Sequence, residues 1–204
     1  MPAPVRPSYS GRDHAARRDQ SGQRNLGGDI EEVYVMKKLK VEPLTQAAFA
    51  PFGDVLEVGR TDHPSYPINN GFTQRFHAIS AVSARCEGVI LSIFETRSFG
   101  LPLTIEMLER HPEGSQSFMP IGASAQAGFF VVVAEGKDAP DPGTIRAFAA
   151  EAGQGVNFAA GVWHHPNIVK SGAQQFLVVD RADPATNLEE FHFPADWEDI
   201  VLEG

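Results

Sequence analysis

Cysteine is nearly absent from this chain: Cys86 is the only one among 204 residues. That excludes an intramolecular disulfide and a cysteine-based metal knuckle, and it favours a reducing compartment. Long apolar runs are missing as well. No stretch approaches the ~18–20 residues that cross a bilayer as a helix, and the N-terminus lacks the short apolar core of a secretory signal. A soluble, cytoplasmic protein with no membrane partner is expected. Positive charge is in deficit, with 17 Lys and Arg against 26 Asp and Glu and a formal net charge of −9. Binding a phosphate backbone needs a basic face, so nucleic acid is excluded as a partner. No Gly-x-Ser-x-Gly elbow occurs, and no covalent nucleophile is evident.

What the chain does have is turn-forming residues and short apolar segments. There are 19 glycines, 15 prolines and 42% hydrophobic residues, a balance that suits many short strands joined by turns rather than a helix bundle. Residues 1–35 stand apart, being rich in Arg, Gly, Ser, Asp and Gln. They carry too little apolar surface to offset the entropy of ordering, so a disordered extension is expected, followed by one domain over residues 36–204. Met36 opens the patterned part and is itself a candidate start residue, which N-terminal sequencing would decide.

From Met36 onward the pattern is mostly β. Leu39-Lys40-Val41 alternates, and Thr45 is placed to cap a short helix that ends by Pro51 and Gly53. Strands are expected at Asp54–Val58, Gly88–Phe94, Phe129–Ala134, Gly155–Phe158 and Gln175–Asp180. The run Phe129–Ala134 is apolar throughout, as a strand buried on both faces requires. Asn70-Gly71 marks a tight turn. Asp141-Pro142 reads as the start of a short helix. The tail from Asn187 reads as an irregular segment or short helix. Together these point to a small barrel or sandwich.

Two polar clusters interrupt the apolar pattern. The first runs from Glu109 and His111 to Gln116, Pro120 and Gly122. Glu109 and His111 are two apart, so on a strand both side chains face the same way. An imidazole and a carboxylate on one face can bind a metal together or share acid–base work. The second cluster is Trp163-His164-His165-Pro166-Asn167, and the two are expected to meet in space. His164 and His165 are adjacent, so only one can face a barrel interior, and the Gly161-x-x-His164 spacing favours His164. Trp163 suits packing. Asp180-Arg181 closes a strand, either as an ion pair or with a role at the site. Cys86 suits a small buried position.

These two segments resemble the paired motifs of the cupins, with Glu109, His111, Gln116, Pro120 and Gly122 in the first and Gly155, Ala159, Gly161 and His164 in the second. Three positions depart from the cupin pattern: Glu109 stands for a His, Gln116 for a Glu and Ala159 for a Pro. An amide binds a divalent cation more weakly than a carboxylate does. Longer phrases are similar to the ureidoglycolate lyase family, formerly called ureidoglycolate hydrolase. They are Leu101-Pro102-Leu103-Thr104-Ile105, Leu108-Glu109-Arg110-His111-Pro112, Gln154-Gly155-Val156-Asn157 and Val162-Trp163-His164-His165-Pro166. Ile68-Asn69-Asn70-Gly71 with Arg75 and His77 fits as well, as does the opening from Met36 to Asp54. The resemblance spans roughly Met36 to Arg181, in order.

What the resemblance implies is a mainly β, cupin-like jelly-roll barrel with a few short helices, usually a homodimer. Its reaction would split ureidoglycolate into glyoxylate and urea during allantoin (purine) degradation, with a divalent metal such as nickel sometimes associated. That reaction needs a base for the substrate hydroxyl, an acid for the departing nitrogen and a cation for the carboxylate. The candidates for catalysis are His111, Glu109 and His164. Arg75 or Arg110 could clamp the carboxylate, with Asn70, Gln116 and His165 also in reach of the substrate. If a metal is present, His111, His164, Glu109 and Gln116 are its candidate ligands. The alternatives are an amidohydrolase releasing ammonia and carbon dioxide, a cupin that binds a small carboxylate without turnover, and, more weakly, a metal-dependent isomerase or oxygenase on the same barrel.

Overall fold

The strand Phe129–Ala134 has a different hydrophobic cluster on each face. Phe129, Val131 and Val133 belong to one cluster, and Phe130, Val132 and Ala134 to the other. All six side chains are buried, which is why the sequence here shows no polar alternation. The computed structural model that displays this describes residues 36–85, 88–182 and 187–204. The expected extension over residues 1–35 lies outside the described residues, and so does Cys86.

In chain order the elements begin with β1 (Met36–Lys38), β2 (Val41–Pro43), α1 (Gln46–Phe49) and β3 (Gly53–Leu56). A hairpin follows, β4 (Ser65–Ile68) and β5 (Thr73–Phe76), and then the long strand β6 (Val89–Arg97). Next come β7 (Leu103–Ile105), β8 (Met107–Arg110), β9 (Gln116–Ile121), β10 (Phe129–Ala134) and β11 (Arg146–Ala150). The last elements are β12 (Gly155–Phe158), β13 (Trp163–His164), β14 (Ile168–Val169), β15 (Ala173–Arg181), β16 (Glu189–His192) and β17 (Asp199–Leu202).

One sheet has the order β3-β12-β9-β15-β6, and a second runs β16-β8-β13-β10-β11-β2 with β14 also on β10. Phe118, Phe158 and Phe176 of the first sheet share one cluster with Phe129, Val131 and Phe148 of the second, as the core of a cupin-like β-barrel does. At roughly 1.5–3 kcal/mol for each fully buried aromatic or branched side chain, it is a major part of what holds the sheets together. The second cluster lies on the other face of β10, where the small sheet β1-β17-β7 contributes Ile105, Ile200 and Leu202.

Local chemistry explains most boundaries. Thr45 caps α1 by accepting from the Ala48 amide at 3.3 Å, and Phe49 anchors the helix in the core with no exposure. The β4–β5 turn uses left-handed backbone at Asn69, Asn70 and Gly71, where Asn and Gly are the least strained residues. The short helix expected at Asp141-Pro142 is a single 3-10 turn, Pro142–Thr144, capped by Asp141, after which Arg146–Ala150 extends and pairs with β10. One expectation is corrected. The tail is not irregular or helical: Glu189–His192 pairs with β8, and Asp199–Leu202 pairs with β1 and β7.

Candidate active site

β13 and β8 bring the two polar clusters together, with His164 directly opposite Glu109 in the ladder. Alternation decides which side chains share the interior. His164 points into the barrel, and its ring lies on Phe158 with centroids 4.1 Å apart. Trp163 points to the outer cluster, as does Arg110, whose guanidinium sits 4.5 Å from the Trp163 ring centroid. Glu109 faces inward between the outward-facing Leu108 and Arg110, and its carboxylate lies 3.7 Å from His164 Nε2. His111 follows just past the end of β8, its ring centroid 5.4 Å from that of His164. One donor atom from each of Glu109, His111 and His164 lies within 4.8 Å of the others. Gln116 at the start of β9 is buried beside them, its Oε1 3.3 Å from His164 Nε2.

Backbone carbonyls set the orientation of both imidazoles. His111 Nδ1 donates to the Asn187 carbonyl at 2.6 Å, and His164 Nδ1 donates to the Val162 carbonyl at 2.9 Å. Each Nε2 is then left with a lone pair, and that of His111 is buried with no hydrogen-bond partner. Asn187 also accepts the Glu113 amide on its side chain at 2.8 Å, so one residue fixes both the loop and the ring. Sequence gave no warning of Asn187, because it lies 76 positions from the His111 it orients.

Burial controls the charges. It drives the Glu109 carboxyl up to about 7, helped by the negative charges of Glu190 and Asp180. It also drives His164 down to about 3, with repulsion from His111 adding to the fall and the hydrogen bond donated to the Val162 carbonyl opposing it. The close approach of Glu109 and His164 is therefore not an ion pair at neutral pH, since the imidazole is uncharged. A Gln116 oxygen would face the His164 lone pair directly. A cation between the two removes that repulsion, and so does a rotated amide offering its NH2. Two imidazole nitrogens, a carboxylate and an amide oxygen form a donor set that fits a divalent transition metal, with backbone carbonyls holding both rings as ligand imidazoles usually are held.

The other candidates lie elsewhere. His165 is buried but turned to the Pro166 carbonyl and the Phe99 ring, and burial lowers its pKa. Arg110 is bound to Glu189 at 2.7 Å and to the Lys137 carbonyl, away from the interior. Asn70 and Arg75 are exposed on the β4–β5 hairpin, and no hydrogen bond or ion pair among the described residues joins either to the cluster. His77, just past that hairpin, packs against Tyr66 with ring centroids 5.8 Å apart. Asp180 and Arg181 do not pair, because adjacent strand residues point to opposite faces.

The comparisons with known proteins agree on a family. The model of the family described as ureidoglycolate lyase matches residues 36–199. A protein named ureidoglycolate lyase from Pseudomonas entomophila is 47% identical over 163 residues, covering 79% of this chain and 95% of that protein. One of the same name from Pseudomonas aeruginosa is 45% identical over 170 residues, 82% of this chain and 97% of its own length. A third, from Stutzerimonas stutzeri, is 46% identical over 163 residues, 79% and 93% of the two chains. With the match running through both halves of the Glu109–His164 site, this chain belongs to the ureidoglycolate lyase family.

Proposed function

We propose that this chain is a ureidoglycolate lyase, cleaving ureidoglycolate to glyoxylate and urea in allantoin (purine) degradation. The observation that carries this reading is the inward-facing Glu109–His111–His164 cluster, in a chain 45–47% identical to proteins named for that activity.

The substrate carries a hydroxyl, a ureido nitrogen and a carboxylate on neighbouring positions of one small molecule. Cleavage removes the hydroxyl proton, forms a carbonyl and expels the nitrogen, which must gain a proton. It consumes no water and needs no covalent nucleophile. The site has no guanidinium from Arg110 to hold the carboxylate, and its donor set fits a divalent cation such as nickel. Glu109, His111, His164 and Gln116 would hold that ion; when bound, it supplies charge for the substrate carboxylate and acidifies the hydroxyl. Only one of those four ligands is anionic, so a net positive charge remains to attract an anionic substrate. The stacked Phe158 ring and the buried Gln116 keep water from that side of the site.

An exposed edge strand supports the homodimer as part of this reading. β6 is a nine-residue edge strand, with Leu91 71% and Ile93 58% exposed on one face. A long apolar edge favours pairing with another chain. The cytoplasm is the compartment that suits a chain with one cysteine, and among the described residues no helix is long and apolar enough to cross a membrane.

The test is product analysis with freshly prepared ureidoglycolate, with and without chelator. Urea and glyoxylate in equal amounts, above the spontaneous rate, support the lyase. Ammonia with no urea would replace it with an amidohydrolase, and no acceleration would leave a carboxylate-binding protein.

A further inference from the structure

β15 sends a row of side chains toward the barrel interior. Gln174, Phe176 and Val178 are buried on that face, and Asp180 is the next in the row. Val179 pairs with Ser117 in the last rung of the ladder with β9, and extending that register by one residue brings Asp180 alongside Gln116. Directly opposed residues in an antiparallel pair share a face, with Cβ atoms about 4.5–5.5 Å apart. Asp180 is therefore the cross-strand neighbour of the amide that sits 3.3 Å from His164 Nε2. Its charge is also felt at the Glu109 carboxyl. Although half-buried, Asp180 makes no hydrogen bond or ion pair among the described residues. A carboxylate with no partner in the fold, set beside a cluster of this kind, is free to act on a bound molecule.

The lyase reading, on which this inference rests, needs a group to take the substrate hydroxyl proton. The imidazoles are poorly placed for it. Both Nδ1 protons are given to backbone carbonyls, and both Nε2 lone pairs converge with Glu109 on one centre, where a cation would occupy them. Asp180 stands beside that centre without belonging to it.

We propose that Asp180 is the catalytic base of this site and relays the hydroxyl proton to the departing ureido nitrogen. The O–H bond breaks and its proton passes to an Asp180 carboxylate oxygen. The electron pair left on oxygen forms the glyoxylate carbonyl. The C–N bond breaks with its pair going to nitrogen, which takes the proton back from Asp180. The carboxylate ends as it began, and nothing is oxidised or reduced.

The experiment compares the unaltered chain with Asp180→Asn and Asp180→Ala in turnover, in thermal midpoint and in binding of oxalurate. Oxalurate is the keto analogue of the substrate and has no hydroxyl proton to lose. Asp180→Asn is expected to lower kcat by about 100- to 10,000-fold, the usual share of a positioned base, while oxalurate affinity and thermal midpoint stay within error. Turnover by Asp180→Ala that rises with added formate would mark the missing group as a proton acceptor. If Asp180→Asn keeps kcat within about tenfold, below the usual range for a lost base, the inference is overturned. It is equally overturned if kcat and oxalurate binding fall together, since Asp180 would then be holding the substrate or the fold. An inert unaltered chain would instead remove the lyase reading, and this inference with it.

Discussion

The imidazole of His164 lies flat on the ring of Phe158, with the two planes 13° apart. That contact shields one face of the imidazole while Nδ1 is held by the Val162 carbonyl. The ring can neither turn nor gain a proton easily, so its Nε2 is kept as a neutral, aimed lone pair. His111 is fixed in the same way by Asn187. Two imidazoles locked in one tautomer by backbone are suited to ligation more than to shuttling protons.

Replacing either ring should therefore remove cation binding and turnover together. His111→Ala and His164→Ala are each expected to lower kcat/KM by about 100-fold or more, on the usual scale for a lost ligand or its support. Steady-state kinetics alongside metal analysis checks this. Near-normal turnover in both variants would show that the site is elsewhere.

Cation affinity should depend on pH through Glu109. With its carboxyl held up to about 7, a cation must displace a proton below that pH and none above it. Affinity should fall by about tenfold per pH unit below about 7 and level off above it. Titration calorimetry across that range tests the slope, which Glu109→Gln should abolish.

In the metal-free protein the same group sets a stability gradient of definite sign. Glu109 has a folded value of about 7 against an ordinary 4.5. Below the ordinary value the carboxyl is protonated in both states and costs nothing. As pH rises from there to about 7, the unfolded chain ionises first and stability falls, by at most about 3 kcal/mol. Glu109→Gln should flatten this part of the curve in chemical denaturation. A metal-free protein that gains stability across that window relative to the variant would contradict the burial seen here.

Arg110→Ala separates packing from substrate binding. The guanidinium covers Trp163 and pairs with Glu189, so its loss should lower stability by about 1–2 kcal/mol. The value of KM should hold, because the side chain points away from the interior. A large rise in KM with no loss of stability would return Arg110 to the role of carboxylate clamp.

Leu91→Glu on β6 tests the proposed dimer. Placing a charge on an exposed edge strand opposes pairing, and Leu91 is 71% exposed in a single copy. Sedimentation should show a dimer for the unaltered chain and a monomer for the variant. A dimer that survives the substitution must use another face.

Much of the fold was legible because burial leaves a linear trace. Phe129–Ala134 reads as apolar on both faces because it is covered on both, and Thr45 announces its cap because the capping bond is local. The elements that sequence missed are those whose partners supply the reason for their shape. Arg146–Ala150 follows a helix-like Asp-Pro start yet extends to pair with β10, and Glu189–His192 is polar enough to pass for a loop until β8 binds it.

The site divides the same way. Residue chemistry and spacing alone indicated that Glu109 and His111 share a face and that His164 rather than His165 faces inward, and a single cysteine ruled out an intramolecular disulfide. Only tertiary structure decided that Arg110 belongs to Trp163, that Asn187 orients His111 and that Gln116 meets His164. The physical reason is that strand periodicity tells which way a side chain points, whereas what it meets there depends on ladder register between strands far apart in the chain.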